Sequence, residues 1–204
     1  MPVNLKGKNT EMSGKEFYFR SFTWGVPVNV GGALISLFLL ASGHEPHRFG
    51  RCIRFDIGKN WGGGSLGVFM FTCRNASKRL KEHEHGHSLQ NCYYGPMMPL
   101  LVNVPSSLRF WYRKAVMRLV PGKKLPPYDS IWFEAEATRL GKEYIKKMED
   151  KIGNGNPSAK VTKIEEDEIC DYPALRTASR ILLGGIAAVL AVETIVLKKN
   201  KNKS

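Results

Sequence analysis

No two of the four cysteines, Cys52, Cys73, Cys92 and Cys170, stand at a C-x-x-C or zinc-ribbon spacing, which excludes a cysteine-built zinc module. Gly62, Gly63 and Gly64 follow a lysine and lead into no G-K-[ST], so they form no phosphate loop. Acidic residues are scarce: 18 Asp and Glu stand against 31 Lys and Arg, a formal net charge of +13 over 204 residues. Such a balance favours anionic partners. No nucleic-acid recognition motif accompanies it, and the cations gather beside apolar segments. A lipid bilayer is therefore the expected anionic partner, and nucleic acid is not. There is no internal repeat, and no histidine follows His87.

What the chain concentrates instead is histidine, in His83-Glu84-His85-Gly86-His87, which fits H-E-x-x-H. On a helix His83 and His87 share one face, a turn apart. Two neutral imidazoles so placed can take two tetrahedral positions of a zinc ion. Glu84, next to the first of them, can reach a water on that ion and act as general base. His85 lies about 200° round the helix from both and is expected on a second face or at the surface. Gly86 costs a helix about 1 kcal/mol relative to Ala, so it suggests a close approach by another backbone. The plainer reading of the same string is a solvated helix rich in His and Glu.

Residues 1–20 read as a polar leader. The apolar run Phe22–Ser42 that follows suits one bilayer crossing, which needs about 20 apolar residues. A cleaved secretory signal, or a re-entrant or buried helix started by Pro27, are the alternatives. Residues 51–73 read as a β-hairpin turning on Gly58–Gly64, with Cys52 and Cys73 at mirror-image positions, paired or reduced. An edge strand there could lie beside the zinc helix and receive a peptide by backbone pairing. Asn75 or Ser77 is expected to cap a helix over 78–91. The proline-broken apolar stretch after it either wraps that helix or lies in the bilayer interface. Arg109–Lys114 mixes aromatic and basic side chains, as membrane-surface segments do. Asp129 or Ser130 caps a second helix over 129–148. A linker over 153–175 carries the acidic run Glu165–Glu168. A second apolar segment, 176–198, and a basic tail, 199–204, complete the chain.

A catalytic zinc held by two histidines needs a third protein ligand and an open position. Glu134 is the best candidate, because Ala137 and Thr138 share its face and small neighbours let two helices pack closely. Glu136, about 200° away, is expected to face elsewhere as an exposed charge.

The stretches Gly58–Gly67, Glu82–Asn91, Gly95–Lys114 and Tyr128–Gly141 together resemble a family of small bacterial membrane proteins. Those proteins carry H-E-x-G-H-x-x-Q, a G-P-x-x-P…P-S segment and a later F-E/T-E…A…G helix. The helix pair is also similar to that of the gluzincins, such as thermolysin, which hold zinc by two His and one Glu. The resemblance implies His83, His87 and Glu134 as ligands of Zn2+ and Glu84 as the base. It leaves the donor for a developing oxyanion to Tyr128 or Tyr144, since no downstream histidine exists.

The expected protein is thus α+β: a β-hairpin and a two-helix zincin-like core, residues 44–152, between transmembrane helices at 21–43 and 176–198. It would cleave a peptide or protein substrate, and the positive-inside rule would put both termini in the cytoplasm. The rival expectation is a non-catalytic membrane protein, zinc-stabilised or metal-free, with a structural or interaction role.

Overall fold

The computed structural model describes residues 12–155, 168, 169 and 173–201. The fold is mixed α+β, mostly helical, with a small open sheet. At its centre runs α3 (Lys78–Tyr94), which starts where the Ser77 hydroxyl accepts the Leu80 N–H at 3.3 Å and ends at Gly95. Every residue from Glu84 to Cys92 is buried. Most are polar, so their partners have to come from neighbouring elements. The closest neighbour is α5 (Trp132–Gly155), entered through a 3-10 turn at Tyr128–Ser130. Gly86 and Gly141 form the crossing. A Cβ on Gly86 would stand 1.9 Å from the Ala137 carbonyl oxygen, and one on Gly141 would stand 1.8 Å from that of Glu82. The backbone expected near Gly86 is that of α5.

Among the described residues five strands, β1 (Pro46–Phe49), β2 (Cys52–Asp56), β3 (Gly63–Leu66), β4 (Phe69–Thr72) and β5 (Glu168–Ile169), pair in the order β3-β4-β2-β1-β5. The hairpin expected over 51–73 does not form. β2 and β4 run parallel, from Ile53 beside Phe69 to Asp56 beside Thr72. The antiparallel pairs are β1–β2 and β3–β4. Gly63 and Gly64, taken for turn residues, are strand residues, and the chain reverses at Gly67, whose φ of +66° suits glycine. Cys52 and Cys73 therefore sit at opposite ends of a parallel pair. Both are buried free thiols, as is Cys92.

The first apolar run is not one span. It forms α1 (Gly14–Thr23) and α2 (Val26–Ala41), bent by 92° at the break. Among the described residues no single helix is long and apolar enough to cross a membrane; this bent pair passes only when taken together. Buried Asn29 ties the bend down. Its Nδ2 donates to the carbonyls of Ser21 (2.8 Å) and Gly25 (3.1 Å), and its Oδ1 accepts the Val68 N–H at 2.8 Å. Pro27 sits in the first turn of α2. Both features agree with the re-entrant or buried alternative. The second half of the expected leader is α1 itself, and its Phe17 is fully buried.

The second apolar segment lies within one 29-residue helix, α6 (Pro173–Lys201), which packs on α2 and donates from Arg180 Nε to the Ala41 carbonyl at 3.1 Å. Among the described residues the fold thus presents one bent apolar helix pair and not two clear flanking spans. Lys6 and Lys8 of the leader, linker residues 156–167 with most of the acidic run, Cys170, and tail residues 202–204 lie outside the described residues.

Candidate metal centre

α3 presents His83 and His87 on one face, and the α3–α5 crossing brings Glu134 against them. The Nε2 atoms of the two rings are 3.2 Å apart, and Glu134 Oε2 lies 3.1 Å from the first and 3.3 Å from the second. Four-coordinate zinc takes N and O ligands at about 2.0–2.1 Å, which gives tetrahedral edges of about 3.3–3.4 Å. The observed triangle has nearly that size before any adjustment. Among the described residues no other group of three His, Cys, Asp or Glu side chains converges enough to hold one ion.

The outer atoms of these ligands show what the inner ones must do. Gln90 Nε2 donates to the Phe133 carbonyl at 2.8 Å and to Glu136 at 2.9 Å. Its oxygen is thereby left to face His87 Nδ1, at 2.8 Å, and that nitrogen must be the donor. The second nitrogen, Nε2, then carries a lone pair. His83 Nδ1 is held by the Thr138 hydroxyl at 2.9 Å, and Glu134 Oε1 accepts from the Ser106 hydroxyl at 2.5 Å. Glu134 Oε2 is buried and has no hydrogen-bond partner. An orphaned carboxylate oxygen beside two imidazole nitrogens is costly without a cation, and suits one well. The residues present therefore fit a divalent metal with a preference for nitrogen ligands.

The electrostatics agree. Burial works against the charge of Glu134, but the two imidazoles and Ser106 outweigh it and hold the carboxyl well below the usual carboxylate range. Burial also works against a charged His87, and there Glu134 and the nearby Glu84 win and raise its pKa. Both shifts mean that the carboxylates favour positive charge between the rings.

Glu84 faces a different neighbour. Its carboxylate accepts from the Ser65 hydroxyl at 2.7 Å, and the same hydroxyl reaches the Glu84 carbonyl at 2.8 Å. A Cβ on Gly63 would stand 2.7 Å from Glu84 Oε1. Glycine is needed in β3 because this edge strand runs against the carboxylate. Glu84, His83 and His87 line one wall of a cleft of about 900 Å3 with β3. Ser106, Phe110 and Trp111 of α4 (Val104–Leu119), with Tyr128, line the other.

Three of the secondary expectations change. His85 does point away from the triad, but it is fully buried, stacked on Tyr144 and Phe17, with Nε2 accepting the Arg51 N–H at 3.3 Å. Burial, and then the Arg51 charge, push its pKa down to about 3. Glu136 is no exposed charge: it accepts from Gln90 and, at 2.7 Å, from the Tyr94 hydroxyl. Tyr144 donates to the Met12 carbonyl at 3.2 Å and accepts from Arg51, in the His85 pocket, so it has no access to the triad. Tyr128 does reach the site. Its ring lies 6.4 Å from that of His83, its hydroxyl is 3.3 Å from Ser106, and Arg109 and Arg113 cover its face. The sequence assigns Gln90 no role and Thr138 only that of a small packing neighbour. Gln90 stands three residues after His87, hence on the same face, and that spacing was the available signal.

No protein-family model, curated protein or solved structure matches the chain. The site is described by its own geometry.

Proposed function

We propose that the chain is a membrane-associated, gluzincin-like zinc metallopeptidase that hydrolyses peptide bonds. The observation that carries this reading is the convergence of two imidazole nitrogens and an orphaned carboxylate oxygen on the wall of an open cleft, beside Glu84. Two imidazoles favour zinc over magnesium or calcium. Three protein ligands beside a cleft suit a catalytic ion, whereas a structural zinc is closed by four. This weighs against the non-catalytic rival.

Held at the triad, zinc supplies Lewis acidity to a water and to a carbonyl oxygen. Glu84, fixed by Ser65, takes the water's proton and delivers it to the leaving amine. β3 is the outermost strand of the sheet and lines the cleft, so an extended peptide can pair with its free edge. The Tyr128 hydroxyl is the donor at hand for the oxygen that gains charge. The bent apolar pair α1–α2, the apolar stretch of α6 and the +13 net charge support membrane association.

The test compares the parent with His87→Ala and Glu84→Gln, purified without added metal. Mass spectrometry should find stoichiometric zinc in the parent and in Glu84→Gln, and little in His87→Ala. Against a peptide library, Glu84→Gln should be slower by about 10²–10⁴-fold. Equal, negligible zinc in the parent and His87→Ala would refute the metal. Undiminished cleavage by Glu84→Gln would refute its role as the base.

A further inference from the structure

α4 is amphipathic in the reverse sense. Its polar face holds it to the body of the protein. Arg109 donates to the carbonyls of Tyr128 (3.1 Å) and Pro127 (2.9 Å) and to the Ser130 hydroxyl (3.0 Å), and Arg113 donates to the Pro126 carbonyl. Five of its apolar residues, Val104, Leu108, Trp111, Ala115 and Leu119, recur every three or four positions and form one stripe, with Phe110, Val116 and Met117 off it. That stripe points outward: Leu108 is 65% exposed, Trp111 65% and Leu119 78%, and α4 has no buried residue. The turn before it adds exposed Leu100 and Leu101. A contiguous apolar surface of this kind marks a binding face.

We propose that α4 lies in the plane of an anionic bilayer, its stripe at the acyl boundary, and that it sets the mouth of the cleft at the membrane surface. Charge selects this occupant. Residues 97–128 hold six basic side chains and no acidic one. Lys114 and Arg118 flank the stripe, Lys123 and Lys124 follow it, and Trp111 and Tyr112 supply the aromatic side chains that favour the headgroup layer. A second copy of the chain would bring like charge to like charge, which disfavours a dimer through this face. Phe110, Trp111 and Lys114 line the cleft as well as belonging to α4, so a helix lying on the bilayer holds the cleft there. Resting on the metallopeptidase reading, this narrows the substrate class to polypeptide segments next to a membrane anchor.

The test uses the full chain in a Cys170→Ser background, where Cys52, Cys73 and Cys92 are buried. A nitroxide is attached at Leu108→Cys, at Leu119→Cys or, as the control on the exposed polar side of α5, at Lys146→Cys. The protein is reconstituted in nanodiscs of phosphatidylcholine, with or without phosphatidylglycerol. Collisions with oxygen should exceed those with a water-soluble nickel chelate at 108 and 119, with the reverse at 146. The preference should be several-fold stronger with phosphatidylglycerol. Nickel access at 108 and 119 equal to that at 146 would put the stripe in water and overturn the proposal. Shielding from both reagents would mean a protein partner and also overturn it. So would equal immersion in the two lipid mixtures, since the cations would then select no headgroup. Nitroxide collisions depend on neither zinc nor hydrolysis, so failure of the metallopeptidase reading and failure of this proposal remain distinguishable.

Discussion

α4 and α5 both contribute to the cleft and use their two faces in opposite ways. α5 turns inward its small and liganding residues: Gly141 and Ala137 touch the backbone of α3, and Glu134 and Thr138 engage the histidines. α4 turns inward Arg109 and Arg113 and outward its leucines. Periodicity alone describes both as amphipathic helices. Only the contacts reveal which face is the inner one, and hence that one helix builds the site while the other presents a surface.

The largest expected effect tests the inner helix. Gly141→Val places atoms where the Glu82 carbonyl already stands, and neither backbone can give way without parting α3 from α5. A loss of about 3 kcal/mol or more is expected, at the upper end for overpacking, together with loss of zinc. Denaturant unfolding and metal analysis would measure both. Ala115→Val, on the exposed stripe, should stay within about 0.5 kcal/mol. Equal costs would erase the contrast between the helices.

Next comes the point where both helices meet the site. Tyr128 precedes α5 and is covered by two arginines of α4. Tyr128→Phe removes one donor, so hydrolysis should fall by about 10²–10³-fold with zinc content unchanged. Loss of zinc instead would mean that Tyr128 supports Glu134 through Ser106 and takes no part in catalysis. A smaller loss is expected from Gln90→Met, which unlocks the His87 tautomer and leaves Glu136 without its amide partner. Chelator competition should show zinc bound about 10–100-fold more weakly. Unchanged affinity would show that the Gln90 link does not tune the ligand.

The triad was legible in the sequence because helical spacing places His83 and His87 by itself, and small residues around Glu134 mark a close crossing. The sheet was not. Glycines serve turns and close approaches alike, and Gly63 serves a strand pressed on Glu84. Nothing local to residues 51–73 distinguishes the two uses. Asn29 is a lone polar residue in an apolar run; what it fixes, the Ser21 carbonyl and the Val68 amide, lies eight residues back in one case and 39 ahead in the other. The burial of His85 and the hydrogen bonds of Glu136 were not legible for a related reason. A helical wheel says which way a side chain points, and says nothing about whether α1 or Tyr94 waits there.

The smallest expected effect, that of Leu108→Ala, gives the sharpest form of the comparison, because it sets one side-chain type at two addresses. Leu140 on α5 is 1% exposed and belongs to the main core, whereas Leu108 on α4 is 65% exposed. Leu140→Ala should cost about 2–5 kcal/mol, from lost transfer energy and the cavity left behind. Leu108→Ala leaves no cavity within the protein. In a zwitterionic micelle its outward side chain meets detergent in the folded and the unfolded chain alike, so the change should stay within about 0.5 kcal/mol. Parallel denaturation of the two variants in the same micelle gives the difference directly. If Leu108→Ala costs as much as Leu140→Ala, the stripe packs against protein, and α4 belongs with α5 as a core helix. If the costs separate as expected, the free energy of the stripe is available to a surface outside the fold.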